Sequence, residues 1–388
     1  MQALIGTGKF GKVVKARERA TGKVVAIKII KKKDVQEGQD LQHTIAERNI
    51  LMRINHPFLM RLHSAFQTTE KLVLVMDFVN GGELFYHLVH HPERKFDNER
   101  TKFYAAEICL GIEHLHLMGI IYRDLKPENV LIDCEGHIRL TDFGLSKEGL
   151  FKNDRTSTFC GTPEYLAPEV LLGTKYSNAV DWWGFGALIF EMLTGTAPFF
   201  EQDIKKMFQM KITCKIGFPD YVEETAKHLL IRLLDRNPGT RWTDPKKIKA
   251  HPWFSTIDWD KLYKKELQPP FKPVLDSPDS LIFIDKSFTN KDVDQEIGST
   301  NEPGIEDQED PKFSSFNYFP DSPSSFSDKA ITHRHDGVGL GDSGPPVLRR
   351  TSTSLNLNQD VKRRVSYYRE MVTKDLFPPL KIEDDIVF

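Results

Sequence analysis

The chain has 388 residues, 39% of them apolar, and a formal net charge of -2. That apolar share can fill a sizeable core, and the charge balance excludes a globally basic surface for nucleic acid. No apolar run approaches the roughly 18 residues of a membrane span and no signal-peptide pattern opens the chain, so a cytoplasmic or nuclear protein is expected.

Residues 1–77 alternate short β-branched runs with one helical stretch near 43–55, which predicts a small antiparallel sheet carrying one helix. Within it, Gly6-Thr7-Gly8-Lys9-Phe10-Gly11-Lys12-Val13 reads as a glycine-rich turn between two strands. Glycines let backbone amides close over phosphates. The rival, a dinucleotide-binding turn, needs a helix directly after the glycines. Here Val13-Val14-Lys15-Ala16 reads as strand instead. Lys28 ends the next apolar run; it is either an edge lysine seeking water or, after such a turn, the group that grips the α- and β-phosphates. Glu47, on the predicted helix, is its expected partner, against the plainer reading of a solvated glutamate. A helix that swings to make or break this pair would act as a switch.

Residues 80–254 follow helical periodicity, with an apolar stripe over 101–118 and a more buried helix over 181–193. Between them lies Tyr122-Arg123-Asp124-Leu125-Lys126-Pro127-Glu128-Asn129, followed by Asp142-Phe143-Gly144. These residues hold what phosphoryl transfer to a hydroxyl requires. Asp124 can orient the hydroxyl and take its proton, Lys126 can neutralise the migrating group, and Asn129 and Asp142 offer oxygen ligands to Mg2+. Downstream, a phosphate on Thr158 would add about -1.5 to -2 charges and order its loop against cations. Arg123, which would otherwise be unpaired, Lys147 and His43 are the candidates. Glu169 is expected to pair with Arg241, and Asp181 to accept backbone hydrogen bonds from the 122–129 loop. Cys109, Cys134, Cys160 and Cys214 are scattered, as reduced thiols rather than a zinc site or disulfide framework.

After His251-Pro252-Trp253-Phe254 the composition shifts. Residues 255–320 suit an extended tail lying on a folded surface, and 321–388, rich in Ser, Asp, Gly and Pro, suit a disordered regulatory tail. In that last part, Ser352 and Ser366 each follow arginines by two and three residues and are candidate modification sites.

On these motifs the chain resembles the eukaryotic protein kinases over 1–254, which implies an α+β, bilobal fold. Residues 1–77 would form the small lobe and 80–254 the large one. Tyr122-Arg123-Asp124, the run Phe159-Cys160-Gly161-Thr162-Pro163-Glu164-Tyr165 and His251-Pro252-Trp253-Phe254 make it similar to the AGC group of serine/threonine kinases. The tail, with Pro269-Pro270-Phe271-Lys272-Pro273, looks most like the ribosomal S-six kinases, in particular the amino-terminal kinase domain of the two-kinase subfamily. The resemblance implies ATP and Mg2+ as cofactors. The nucleotide would lie against Gly6, Thr7, Gly8, Lys9, Phe10, Gly11, Val13, Ala26, Lys28, Met76, Asp77 and Asn129. It also implies serine or threonine substrates with upstream basic residues, met by Glu83, Glu128 and Thr162. Gln209 stands where some relatives carry a glutamate, so the demand is expected to be stronger three residues before the acceptor than two. A monomer activated at Thr158 by an upstream kinase of the phosphoinositide-dependent type is implied as well.

Four departures stand out. Phe313 and Phe316 match the hydrophobic motif that docks beside the small-lobe helix, but Asn317 replaces its phosphorylatable residue. Asp292 stands near a phosphorylated turn-motif position, and Ile284 where relatives place an aromatic residue near the adenine. Only five residues precede Gly6, a short start that suits a truncated chain or a short isoform. A pseudokinase-like scaffold is the alternative if that start disables nucleotide binding.

Overall fold

The computed structural model describes residues 1–8, 11–35, 38–151, 154–297 and 310–320. Lys9, Phe10 and the segment 321–388, with Ser352 and Ser366, lie outside the described residues.

Alternating β-branched residues build an antiparallel sheet from β1 (Ala3–Thr7), β2 (Gly11–Arg17), β3 (Val24–Lys31), β4 (Leu62–Gln67) and β5 (Lys71–Asp77), in the order β1-β2-β3-β5-β4. The short start suffices for β1, which pairs Leu4 with Val14 and Gly6 with Val13. Register sets the chemistry. Lys28 lies opposite Val13 on one side and Leu74 on the other, and Ala26 lies opposite Met76. One helix, α1 (Gln39–Arg53), packs Ile50, Leu51 and its C-cap Ile54 into the same core as Ile30, Leu72 and Leu74 of the sheet.

The large lobe follows with α2 (Leu84–Val89), α3 (Asn98–Leu117), the hairpin of β6 (Val130–Ile132) and β7 (Ile138–Leu140), α4 (Pro168–Leu171), α5 (Ala179–Thr194), α6 (Ile204–Thr213), α7 (Glu224–Leu233) and α8 (Pro245–Lys249). Asp97 caps α3 by accepting from the Arg100 amide at 2.7 Å, which satisfies a donor the helix leaves open. Helix α5 is buried from Ala179 to Leu193 and so forms the lobe's axis. It stops at Gly195, whose φ of +82° no side chain adopts cheaply and whose Cβ would meet the Arg94 carbonyl at 2.5 Å.

The tail runs over both lobes through α9 (Trp259–Tyr263), α10 (Lys286–Thr289) and α11 (Val293–Ile297). Phe271 stacks on the Arg100 guanidinium at 3.9 Å, and Lys265 pairs with Asp133 at 2.9 Å. Ile297, Phe288 and Val293 close a small apolar cluster with Leu4, Val14 and Ile29, covering the sheet face that α1 leaves open.

Candidate active site

A cleft of about 990 Å³ opens between the lobes. Gly6, Thr7, Gly8, Gly11 and Val13 form its roof, and Ala26 and Met76 its back wall. The turn between β1 and β2 closes with the Gly8 amide donating to the Gly11 carbonyl at 2.8 Å. Gly11 has no room for a side chain, since a Cβ would sit 2.7 Å from the Ile29 carbonyl. Asp77 also borders the cleft, but its carboxylate is bonded to His63 at 2.7 Å, so it offers backbone there. Ile284 lines the same space with its neighbour Phe283, whose ring packs beside Gly82.

Lys28 Nζ donates to Glu47 Oε1 at 2.5 Å, with side chains 18% and 7% exposed. Helix α1 is therefore swung in. Burial opposes the lysine's charge, but Glu47 and Asp142 outweigh it and raise the Lys28 pKa above its ordinary value.

Beside the cleft-lining Lys126 and Asn129, Asp124 is 5% exposed and held from three directions. Thr162 Oγ1 donates to its Oδ1 at 3.0 Å, Asn129 Nδ2 to its Oδ2 at 2.9 Å, and Lys126 Nζ stands 3.0 Å from Oδ2. Lys126 also donates to Thr162 at 3.1 Å, closing a small ring. Asp181, 1% exposed, accepts from the Tyr122 amide at 2.9 Å and the Arg123 amide at 2.7 Å, which fixes the loop beneath Asp124. Arg123 and Asp142 have φ of 68° and 56°, a left-handed backbone that the Asp181 bond to the Arg123 amide holds in place at Arg123.

The donor set fits a hard cation. Asn129 commits its amide nitrogen to Asp124, so its oxygen is the atom available to a metal, and Asp142 adds a carboxylate. Among the described residues no cluster of three or more His, Cys, Asp or Glu could hold an ion by itself. Two protein oxygens completed by phosphate and water are what Mg2+ accepts.

Glu83 and Glu128 border the front of the cleft. Partial burial and then the like charge of Glu128 raise the Glu83 pKa. A third acid, overlooked in the sequence, lies below them: Glu191 on α5 accepts from the Tyr165 hydroxyl. Burial, reinforced by Glu128 and Glu164 against the Tyr165 bond, pushes its pKa up to about 7. Its one sequence signal is an acid inside the apolar run that follows Asp181 in the same helix. Gln209 is exposed on α6.

Around Thr158 the expectation for Arg123 needs correction. Arg123 is not unpaired: Nε donates to the Leu145 carbonyl at 2.6 Å and Nη1 to the Tyr176 hydroxyl at 3.3 Å. Tyr176, which nothing in its sequence neighbourhood marks, in turn donates to the Thr158 carbonyl at 2.6 Å. Lys147 donates to Thr156 Oγ1 at 2.8 Å, and that hydroxyl lies 3.5 Å from Thr158 Oγ1. Burial and then the Arg123 charge lower the Lys147 pKa. His43 lies on α1, one turn before Glu47. Glu169 and Arg241 form a two-pronged pair at 2.7 and 2.9 Å.

Phe313 and Phe316 are 1% and 2% exposed, set against β4 beside α1. Arg48 of α1 donates to the Phe316 carbonyl at 3.0 Å, and Gln67 of β4 to the Phe313 carbonyl at 2.9 Å. Asn317 Oδ1 accepts from the Gln67 amide at 3.1 Å. Asp292 does not reach the sheet; it caps α11, accepting from the Asp294 amide at 2.9 Å. The acid that meets β2 is Glu296, bonded to Lys12.

The protein kinase domain family matches residues 1–254. A RAC family serine/threonine-protein kinase homolog of Dictyostelium discoideum is 49% identical over 320 residues, 82% of this chain and 71% of that one. The serine/threonine-protein kinase Sgk2 of Homo sapiens is 47% identical over 301 residues, 76% and 82% of the two chains. The kinase gad8 of Schizosaccharomyces pombe is 48% identical over 290 residues, 74% of this chain but 51% of its own length. The chain thus spans from about half to most of the relatives it matches. It belongs to the protein kinase family, and its relatives are AGC-type serine/threonine kinases.

Proposed function

We propose that the chain is an ATP- and Mg2+-dependent serine/threonine protein kinase preferring acceptors with a basic residue three positions upstream. The observation that carries this reading is Asp124, aimed by Thr162, Asn129 and Lys126, the last two of which line the same cleft as a closed Lys28–Glu47 pair. Loss of Lys28, Asp124 or Asp142 would mark a binding scaffold; all are present.

Bound MgATP would supply the phosphoryl group and the cation that neutralises it. Lys28, kept charged by Glu47 and Asp142, would hold the α- and β-phosphates. Asn129 and Asp142 would ligate the metal. Asp124 would align the acceptor hydroxyl and take its proton, while Lys126, already beside that carboxylate, would offset charge on the migrating group. Glu83 and Glu128 would bind the upstream cation, with Glu191 beneath as a weaker acid.

Activation would centre on Thr158, modified by an upstream kinase of the phosphoinositide-dependent type. Lys147 and Arg123 repel one another, so a phosphate placed between them relieves both. The tail would dock with little help from phosphate, because Asn317 is already bonded to β4 and Glu296 to β2. Its sequence supports kinship with the ribosomal S-six kinases within the AGC group.

Thermal shift with MgATP and a positional peptide library test the reading together. Nucleotide binding at ~100 times its Kd adds about 2.7 kcal/mol, and Lys28→Met should remove most of that gain. Proline-directed or acidic preference in the library would sink the specificity claim.

A further inference from the structure

Helix α6 buries Met207, Phe208 and Lys211, so a lysine occupies a position the stripe would give to an apolar side chain. Its exposure is 0%. Taking an ammonium out of water is costly unless hydrogen bonds replace the lost solvent. The replacements all come from one segment: Nζ donates to the carbonyls of Pro163 at 2.7 Å, Glu164 at 2.6 Å and Leu166 at 3.3 Å. Glu164 is the carboxylate whose charge reaches Lys211, yet it contributes through its backbone. Burial, against the pull of Glu164, pushes the Lys211 pKa down to about 7. The lysine's own carbonyl is fixed by Arg236 Nε at 2.8 Å, so the anchor is braced from the far side.

The anchored segment adjoins the reaction centre without carrying the chemistry. At one end Thr162 donates to Asp124; further on, Tyr165 donates to Glu191. A peptide presenting its hydroxyl to Asp124 has to pass this loop. We propose, on the kinase reading, that Lys211 is a positioning residue for the peptide substrate: its ammonium holds loop 162–166 in the path that sets peptide affinity. It touches neither nucleotide nor reacting atoms, so the effect is confined to peptide binding.

The test compares wild type, Lys211→Met and Lys211→Gln, using MgATP and a serine peptide with arginine three residues upstream. Melting curves and hydrogen exchange over 161–167 are recorded alongside. Methionine fits the apolar stripe; glutamine retains a donor if methionine proves unstable. Expected for Lys211→Met is a rise of about five- to tenfold in peptide KM, with kcat and the KM for ATP within about twofold. Exchange over 161–167 should quicken while α5 stays protected, and Lys211→Gln should fall between. Unchanged peptide KM in folded variants overturns the proposal. So does a parallel fall of kcat and both affinities, which marks a merely structural lysine. If the wild type turns over no peptide at all, the kinase reading fails, and exchange alone decides Lys211: faster exchange in the loop upholds the anchor, unchanged exchange rejects it.

Discussion

Replacing Glu169 by alanine strands a guanidinium that water barely reaches. The side chains of Arg241 and Glu169 are 0% and 5% exposed, and both prongs of the pair, at 2.7 and 2.9 Å, would be lost. Removing one partner of a buried pair costs about 3–5 kcal/mol. Arg241 would keep the Ala179 carbonyl at 2.9 Å, the Asp235 carbonyl at 2.8 Å and the face of Trp183 at 5.2 Å. Those contacts place the cost near the lower end, about 3 kcal/mol. In a unit of roughly 250 residues each kcal/mol moves the melting temperature by about 2–4 °C, so a loss of about 6–12 °C is expected by calorimetry. The double variant Glu169→Ala with Arg241→Met should recover part of it, because no lone charge remains. A single-variant loss under about 2 °C, or a double variant equal to the sum of the singles, would refute the reasoning.

Thr158→Ala should lower turnover by roughly tenfold or more, whereas Phe316→Ala should cost less than about threefold. Full activity in Thr158→Ala would remove the activation scheme. Glu191 has a folded pKa of about 7, above the ordinary carboxylate range. It therefore ionises as pH rises through about 7; its burial favours stability at low pH, and that contribution declines from the ordinary range upward. A peptide with arginine two residues upstream should show a KM that falls between about pH 6 and pH 8, and Glu191→Gln should flatten that fall. A pH profile identical in both proteins would exclude Glu191 from substrate binding.

Much of the architecture was legible because it is local. Short β-branched runs and the glycine turn gave the small lobe, and the span 181–193 gave the buried axis α5. Lys28 and Glu47, 19 residues apart, could be paired because their roles demand each other. Contacts without such demand stayed hidden. Tyr176, which takes up the Arg123 guanidinium, sits in a stretch with no motif. Asp292 drew notice by its position, yet one helical turn later Glu296 makes the bond to Lys12, because Asp292 is used to cap α11. No motif in the sequence singles out Lys211. Only the fold brings three loop carbonyls over it.

Phosphoryl transfer from radiolabelled MgATP to an arginine-directed serine peptide, by wild type and Asp124→Asn side by side, tests the central claim most directly. Asparagine keeps the size and most hydrogen bonds of Asp124 but accepts no proton, so a fall of about 10²–10⁴ in kcat is expected, with ATP binding retained. Equal turnover by the two proteins, or no phosphopeptide from wild type carrying a phosphate on Thr158, would contradict the account.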